Sequence, residues 1–221
     1  MASTSEDVFA AIESGEVDRV QAMLDDDPAL ATSRDAQGVS ALMRARYRFD
    51  EVLTDAVRAR VPDLDVFEAA SFGDVERVTE LLANDSASAH AVSGDGFTPL
   101  HLAAFFGHAD VAGLLLTHGA EVDAPGTGWM TGTALHSAAS AKQAEVVRAL
   151  LEAGADPNAR QSGGWIPLHA AARNGDARSI ALLLAAGSDA AAVNDEGTSV
   201  LEMSQQSGDD ETTAMIEAAM Q

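Results

Sequence analysis

Cysteine is absent from the 221 residues. That excludes a disulfide framework, a thiolate metal site and a cysteine nucleophile, and it is compatible with a reducing compartment. Lysine occurs once, at Lys142, so 12 of the 13 basic residues are arginine. Against them stand 35 Asp and Glu, for a formal net charge of −22. Binding nucleic acid through its phosphates needs clustered cations, so this balance argues against nucleic acid, and equally against an anionic membrane surface. It favours solubility and basic partners. Arginine in place of lysine, with abundant Ala and Asp, suggests a GC-rich bacterial genome. Long apolar runs are also missing, and none approaches the roughly 18 uninterrupted residues of a membrane span. The start, MASTSEDVFAA, has neither the basic nor the apolar segment of a secretory signal. These features predict a cytoplasmic protein. Hydrophobic residues still make up 47% of the chain, enough for a real core, which argues against wholesale disorder.

The chain repeats itself. Thr98-Pro99-Leu100-His101 returns as Thr133-Ala134-Leu135-His136 and Ile166-Pro167-Leu168-His169, at offsets of 35 and 33 residues. A weaker copy is Ser199-Val200-Leu201-Glu202. Gly119-Ala120-Glu121 returns as Gly154-Ala155-Asp156 and Gly187-Ser188-Asp189. Between these landmarks lie two short helical patterns. The first carries an Ala pair such as Ala103-Ala104, small enough for close helix packing. The second carries three apolar columns: Val78, Ala112, Val147, Ile180; then Leu81, Leu115, Leu150, Leu183; then Leu82, Leu116, Leu151, Leu184. The spacing i, i+3, i+4 is one face of a helix. Gly119, Gly154 and Gly187 follow where a helix ends and a left-handed residue is needed. Such helix pairs cannot bury their apolar faces alone, and stacking buries a continuous core.

The TPLH start, the Ala pair, the glycine before the second helix and the Gly-Ala-Asp end resemble the ankyrin repeat. The match is nearly full over 96–195 and weaker on both sides. Val66-Phe67-Glu68-Ala69-Ala70 with Gly73, and Val8-Phe9-Ala10-Ala11 with Gly15, extend it upstream. The expected fold is therefore all-α: an ankyrin-repeat solenoid of about seven stacked helix pairs with short β-hairpin-like finger loops, one domain over 1–221. Its units are an N-terminal capping repeat at 1–37, a shortened irregular repeat at 38–64, repeats at 65–95, 96–130, 131–163 and 164–195, and a C-terminal capping repeat at 196–221. In the irregular unit Phe49 stands where the turn glycine is expected, and Pro62-Asp63 replaces a full loop.

Catalytic signatures are weak. His101, His136 and His169 share one repeat position, and the resemblance implies a structural role, hydrogen-bonding neighbouring backbone. His108 and His118 flank one second helix, and His90 is alone in a loop. No acid recurs beside them at metal-ligand spacing, so no metal and no cofactor is expected. Gly126-Thr127-Gly128 and Gly163-Gly164 are short and lie in loops where turns need glycine. No nucleophile elbow or phosphate loop appears. Asp25-Asp26-Asp27 and Asp209-Asp210-Glu211 read as helix caps or turns. An enzyme is not expected.

Two clusters remain. Arg34, Arg44, Arg46, Arg48, Arg58 and Arg60 are six of the 13 basic residues within 27 positions. The plain reading pairs them with acids of adjacent repeats. The alternative is a basic patch, Arg44, Arg46 and Arg48, fit for a carboxylate or phosphate. The second cluster is aromatic. Phe105 and Phe106 occupy positions that hold Ser, Arg or Asn in other repeats, near the concave surface the resemblance implies. Phe97 and Trp165 share one finger position, and Trp129 and Met130 lie in a finger two residues longer than its neighbours. Aromatics, Met and Arg are the types that dominate interface energetics. The expected function is a non-catalytic scaffold binding a partner protein through Phe97, Phe105, Phe106, Trp129, Met130 and Trp165, with surrounding acids steering a basic partner. The alternatives are a small-molecule or peptide-terminus binder, an accessory subunit of an enzyme, or a homodimer contact.

Overall fold

The computed structural model describes residues 3–128 and 131–221. Contacts divide them into two compact units. One is the described part of Met1–Glu68 with Ser93–Asp95, and the other is Ala69–Val92 with Gly96–Gln221. The division falls within one helix, and each unit is described by itself.

In the first unit, α1 (Ser5–Ser14), α2 (Val17–Asp26), α3 (Ala41–Arg46) and α4 (Glu51–Arg58) are helical. Their starts follow from side-chain caps. The side chains of Thr4, Ser40 and Asp50 accept from the backbone N–H groups of Asp7, Met43 and Leu53. Each such cap contributes about 1 kcal/mol. α1 packs on α2 and α3, and α4 packs on α2 and α3. Val8, Ile12, Val20, Leu24, Leu42, Leu53 and Val57 have no exposed surface. Ser93–Asp95 closes on this unit through Gly94. A Cβ there would lie 1.6 Å from the Gln37 carbonyl oxygen, so only glycine fits. Asp95 is buried, and its charge and hydrogen bond, after burial itself, raise the Tyr47 hydroxyl pKa.

α5 (Val66–Phe72) crosses the division. In the second unit, α7 (Pro99–Phe106), α9 (Ala134–Ser140), α11 (Pro167–Arg173) and α13 (Val200–Ser207) form one layer. α6 (Val75–Asn84), α8 (Ala109–Thr117), α10 (Ala144–Glu152), α12 (Ala177–Ala185) and α14 (Asp210–Ala219) form the other. Within each layer successive helices touch. The Ala pairs 103–104, 138–139 and 171–172 are fully buried, which confirms the close approach their size predicts. Asp209 accepts from Thr212 N and caps α14, as the acidic cluster suggested.

Second helices end in two ways. α8, α10 and α12 end on the left-handed Gly119, Gly154 and Gly187. There Leu115, Leu150 and Leu183 are fully buried and Leu116, Leu151 and Leu184 only half-buried. α2 and α6 instead run into 3-10 turns, Pro28–Thr32 and Ser86–His90, capped by Asp27 and Asp85. There Leu24 and Leu82, one place further on, are the buried leucines, with Met23 buried beside Leu24 in α2. The three leucine columns are therefore not equivalent from repeat to repeat.

The fingers hold hairpin-like geometry without strands among the described residues. Isolated antiparallel bridges join Arg34 with Ser40 and Val193 with Ser199. Neighbouring fingers exchange backbone bonds, Thr127 N to Gly96 O and Asp195 N to Gly163 O, each 2.9 Å.

Candidate functional site

The three histidines tie each first helix to the next finger. His101 Nδ1 accepts from the Thr98 N–H (3.3 Å), so Nε2 carries the proton and donates to the Gly132 carbonyl (2.9 Å). His136 repeats this with Thr133 N (3.1 Å) and the Trp165 carbonyl (3.1 Å). His169 Nδ1 accepts from Ile166 N (3.2 Å), and its Nε2 lies towards the Thr198 carbonyl without reaching hydrogen-bond geometry. All three are buried. Burial lowers their pKa values, that of His136 to about 4. In the first unit Glu68 stands at the matching position, half of a capping arrangement with Asp65. Burial first, and then the Asp65 charge, pushes its carboxyl pKa up.

The arginines of the irregular repeat are engaged. Arg44 pairs with Asp35 (2.6 Å), Arg34 with Asp65 (2.6 Å), and Arg60 with Asp25. Arg48 donates to the Glu13 carbonyl at the end of α1, and Arg58 to the Val61 carbonyl. Burial lowers the Arg46 pKa, with Glu51 and Asp55 acting against it. Arg34, Arg44 and Arg60 thus pair with acids, whereas Arg48 and Arg58 bond backbone carbonyls.

The aromatic candidates separate. Phe97 is only 5% exposed, its ring tilted against His101 with centroids 6.0 Å apart. It packs the finger and presents no open face. Phe105 and Phe106 are half-buried and meet edge to face at 5.3 Å. Trp165 is half-buried, edge to face with His169 at 5.3 Å. Trp129 and Met130 lie outside the described residues.

A concave cleft of about 520 Å³ opens beside Trp165, between the ends of α9 and α11. His136, Ser140, Gln161, Ile166, His169, Ala170, Arg173 and Asn174 complete its wall. Phe97, Phe105 and Phe106 are not part of that lining. The ends of the first helices nevertheless connect: Asn174 Nδ2 donates to the Ser140 carbonyl (2.9 Å), and Gln143 Nε2 reaches the Phe105 carbonyl (3.5 Å). Sequence reasoning passed over Ser140, Gln161, Arg173 and Asn174 as site residues. The available signal was that Ser140 and Arg173-Asn174 stand in the columns of Phe105-Phe106.

This stack of helix pairs, tied by histidines and fingers, matches a family model for three copies of the ankyrin repeat over residues 66–161 and one for a single ankyrin repeat over 163–195. The chain belongs to the ankyrin-repeat family. Ankyrin repeats are generally protein–protein interaction modules without catalytic activity of their own. Among curated proteins, this ankyrin-repeat chain is 37% identical over 103 residues to the Mus musculus "Ankyrin repeat and SAM domain-containing protein 6". It is 35% identical over 103 residues to the Rattus norvegicus protein of that name. The matched segment is 46% of this chain and 11% of each relative, so the likeness covers a small part of those proteins. No helix among the described residues is long and apolar enough to cross a membrane. No group of three or more His, Asp or Glu there could hold a metal ion.

Proposed function

We propose that this ankyrin-repeat chain is a non-catalytic scaffold that binds a partner protein on the first-helix side of its second unit. The observation that carries the reading is the cleft beside Trp165, a preformed concavity with a half-buried indole in its wall. Trp165 belongs to the residue types that anchor interfaces, and the half-buried Phe105–Phe106 pair lies further along the same layer. Burying one such ring contributes roughly 1.5–3 kcal/mol, so two or three together offset a substantial part of the entropy cost of association. Layers built this way hold their surface groups in place before a partner arrives, because the histidine and finger bonds fix the helix ends.

The test is affinity capture from a native cell extract, with wild type beside a Phe105→Ala, Trp129→Ala, Trp165→Ala variant and bound species identified by mass spectrometry. The reading predicts a defined protein retained by wild type and lost from the variant. Equal retention by both would reject this face as the site.

A further inference from the structure

Nearly all the basic side chains are spent. Among the described residues, Arg19, Arg34, Arg44, Arg60, Arg77, Arg148, Arg160 and Arg178 form ion pairs. Arg48 and Arg58 are held by carbonyls. Arg173 and Lys142 form neither an ion pair nor a side-chain hydrogen bond among those residues, and both are exposed. In a chain with 35 acids that is unexpected. The two also share a location. Arg173 lines the Trp165 cleft, and Lys142 follows Ser140, another lining residue, on the turn after α9. No acidic residue lines the cleft. Lys142 does act on one acid outside the cleft: the Asp209 carboxyl pKa is lowered, first by the Thr212 N–H and in smaller part by the Lys142 charge. Gln161 and His169 both line the wall, but Gln161 Oε1 and His169 Nε2 are themselves buried and without a hydrogen-bond partner among the described residues.

We infer that the Trp165 cleft takes a peptide segment carrying a carboxylate beside an apolar residue. The carboxylate accepts from the Arg173 guanidinium, with Lys142 adding its charge. The apolar side chain covers Trp165. The net charge of −22 does not forbid this. At physiological ionic strength charges beyond about 8 Å are largely screened, and at contact the ligand meets a guanidinium with no competing acid. A planar fork suits a carboxylate bidentately. This inference rests on the proposed partner-binding role of the same face and sharpens it to one ligand chemistry.

Heptapeptide bead libraries test it, with the full chain detected through an N-terminal affinity tag. One library is anchored at the C-terminus, so only side chains supply carboxylates. The other is anchored at the N-terminus, with free and amidated ends compared. Enrichment of Asp or Glu next to an apolar residue on the first supports a side-chain carboxylate. Binding that requires the free end on the second supports a chain terminus. In either case Arg173→Ala lowers retention about tenfold, as expected for losing a charge-assisted pair at a partly open site. Lys142→Gly weakens it too. That change relieves a left-handed non-glycine backbone, so weaker binding there cannot be put down to unfolding. Selection of neutral or basic peptides, or equal retention by Arg173→Ala, overturns the carboxylate assignment. If such peptides are still lost on Trp165→Ala, the partner-binding face stands without it. If no peptide is selected from either library, the carboxylate-peptide assignment falls, and affinity capture with the triple variant decides the partner-binding face separately.

Discussion

At the residue scale, the sharpest feature is the turn between the two helices of a pair. Gly15, Gly73, Gly107, Gly175 and Gly208 take positive φ there. Phe49 and Lys142 take the same left-handed conformation with φ of 57° and 58°. A side chain in that region costs about 1–2 kcal/mol, partly offset because glycine has more freedom to lose on folding. Lys142→Gly and Phe49→Gly are each expected to stabilise the protein by about 0.5–1 kcal/mol, raising Tm by roughly 1–4 °C. Differential scanning calorimetry checks this, and a lower Tm for Lys142→Gly would show that its side chain repays the strain. The sequence marked Phe49 as a departure from the glycine pattern but could not say whether the backbone keeps its left-handed turn. It does. Burial of individual finger residues was not legible. Phe97 and Trp165 hold the same place relative to TPLH and IPLH, yet one is buried and the other half-buried.

At the element scale, the histidine ties make folding sensitive to acid. His136 must stay neutral, since its Nδ1 accepts from the Thr133 N–H. Its folded pKa of about 4 is below the ordinary 6.5. The unfolded chain therefore takes up the proton first, and stability rises with pH through that range. The contribution is fully present above pH 6.5 and is lost as pH falls towards 4, where it amounts to about 3 kcal/mol. Glu68, with its raised pKa, acts in the opposite sense near the carboxylate range. Comparing wild type with His136→Gln isolates the histidine. In urea melts from pH 7.5 to 4, any stability advantage of wild type should shrink as pH falls, and parallel curves would contradict the assignment. Helix pairs, Ala contacts and glycine ends were legible because their spacing repeats. The 3-10 endings after α2 and α6 were not, because Asp27 and Asp85 cap them by local bonds that leave no periodic trace. The shift of the buried leucine to Leu24 and Leu82 came with them.

At the scale of the whole molecule, charge dominates. With a net charge of −22, self-repulsion opposes the compact state, and salt screens it. Tm is expected to rise between low and molar sodium chloride, and a flat or falling response would mean that the charges are already balanced by pairs such as Arg44–Asp35. The family was legible in three near-complete motif copies. The cleft was not, since it takes the folded register of α9, α11 and the intervening finger to bring Ser140, Gln161, Trp165 and Arg173 to one wall. The most direct test of the central claim is hydrogen–deuterium exchange on this chain with and without its captured partner. The account predicts new protection in 134–140 and 161–174, the segments that build the cleft. Protection confined to the second-helix layer, α8, α10 and α12, would contradict it.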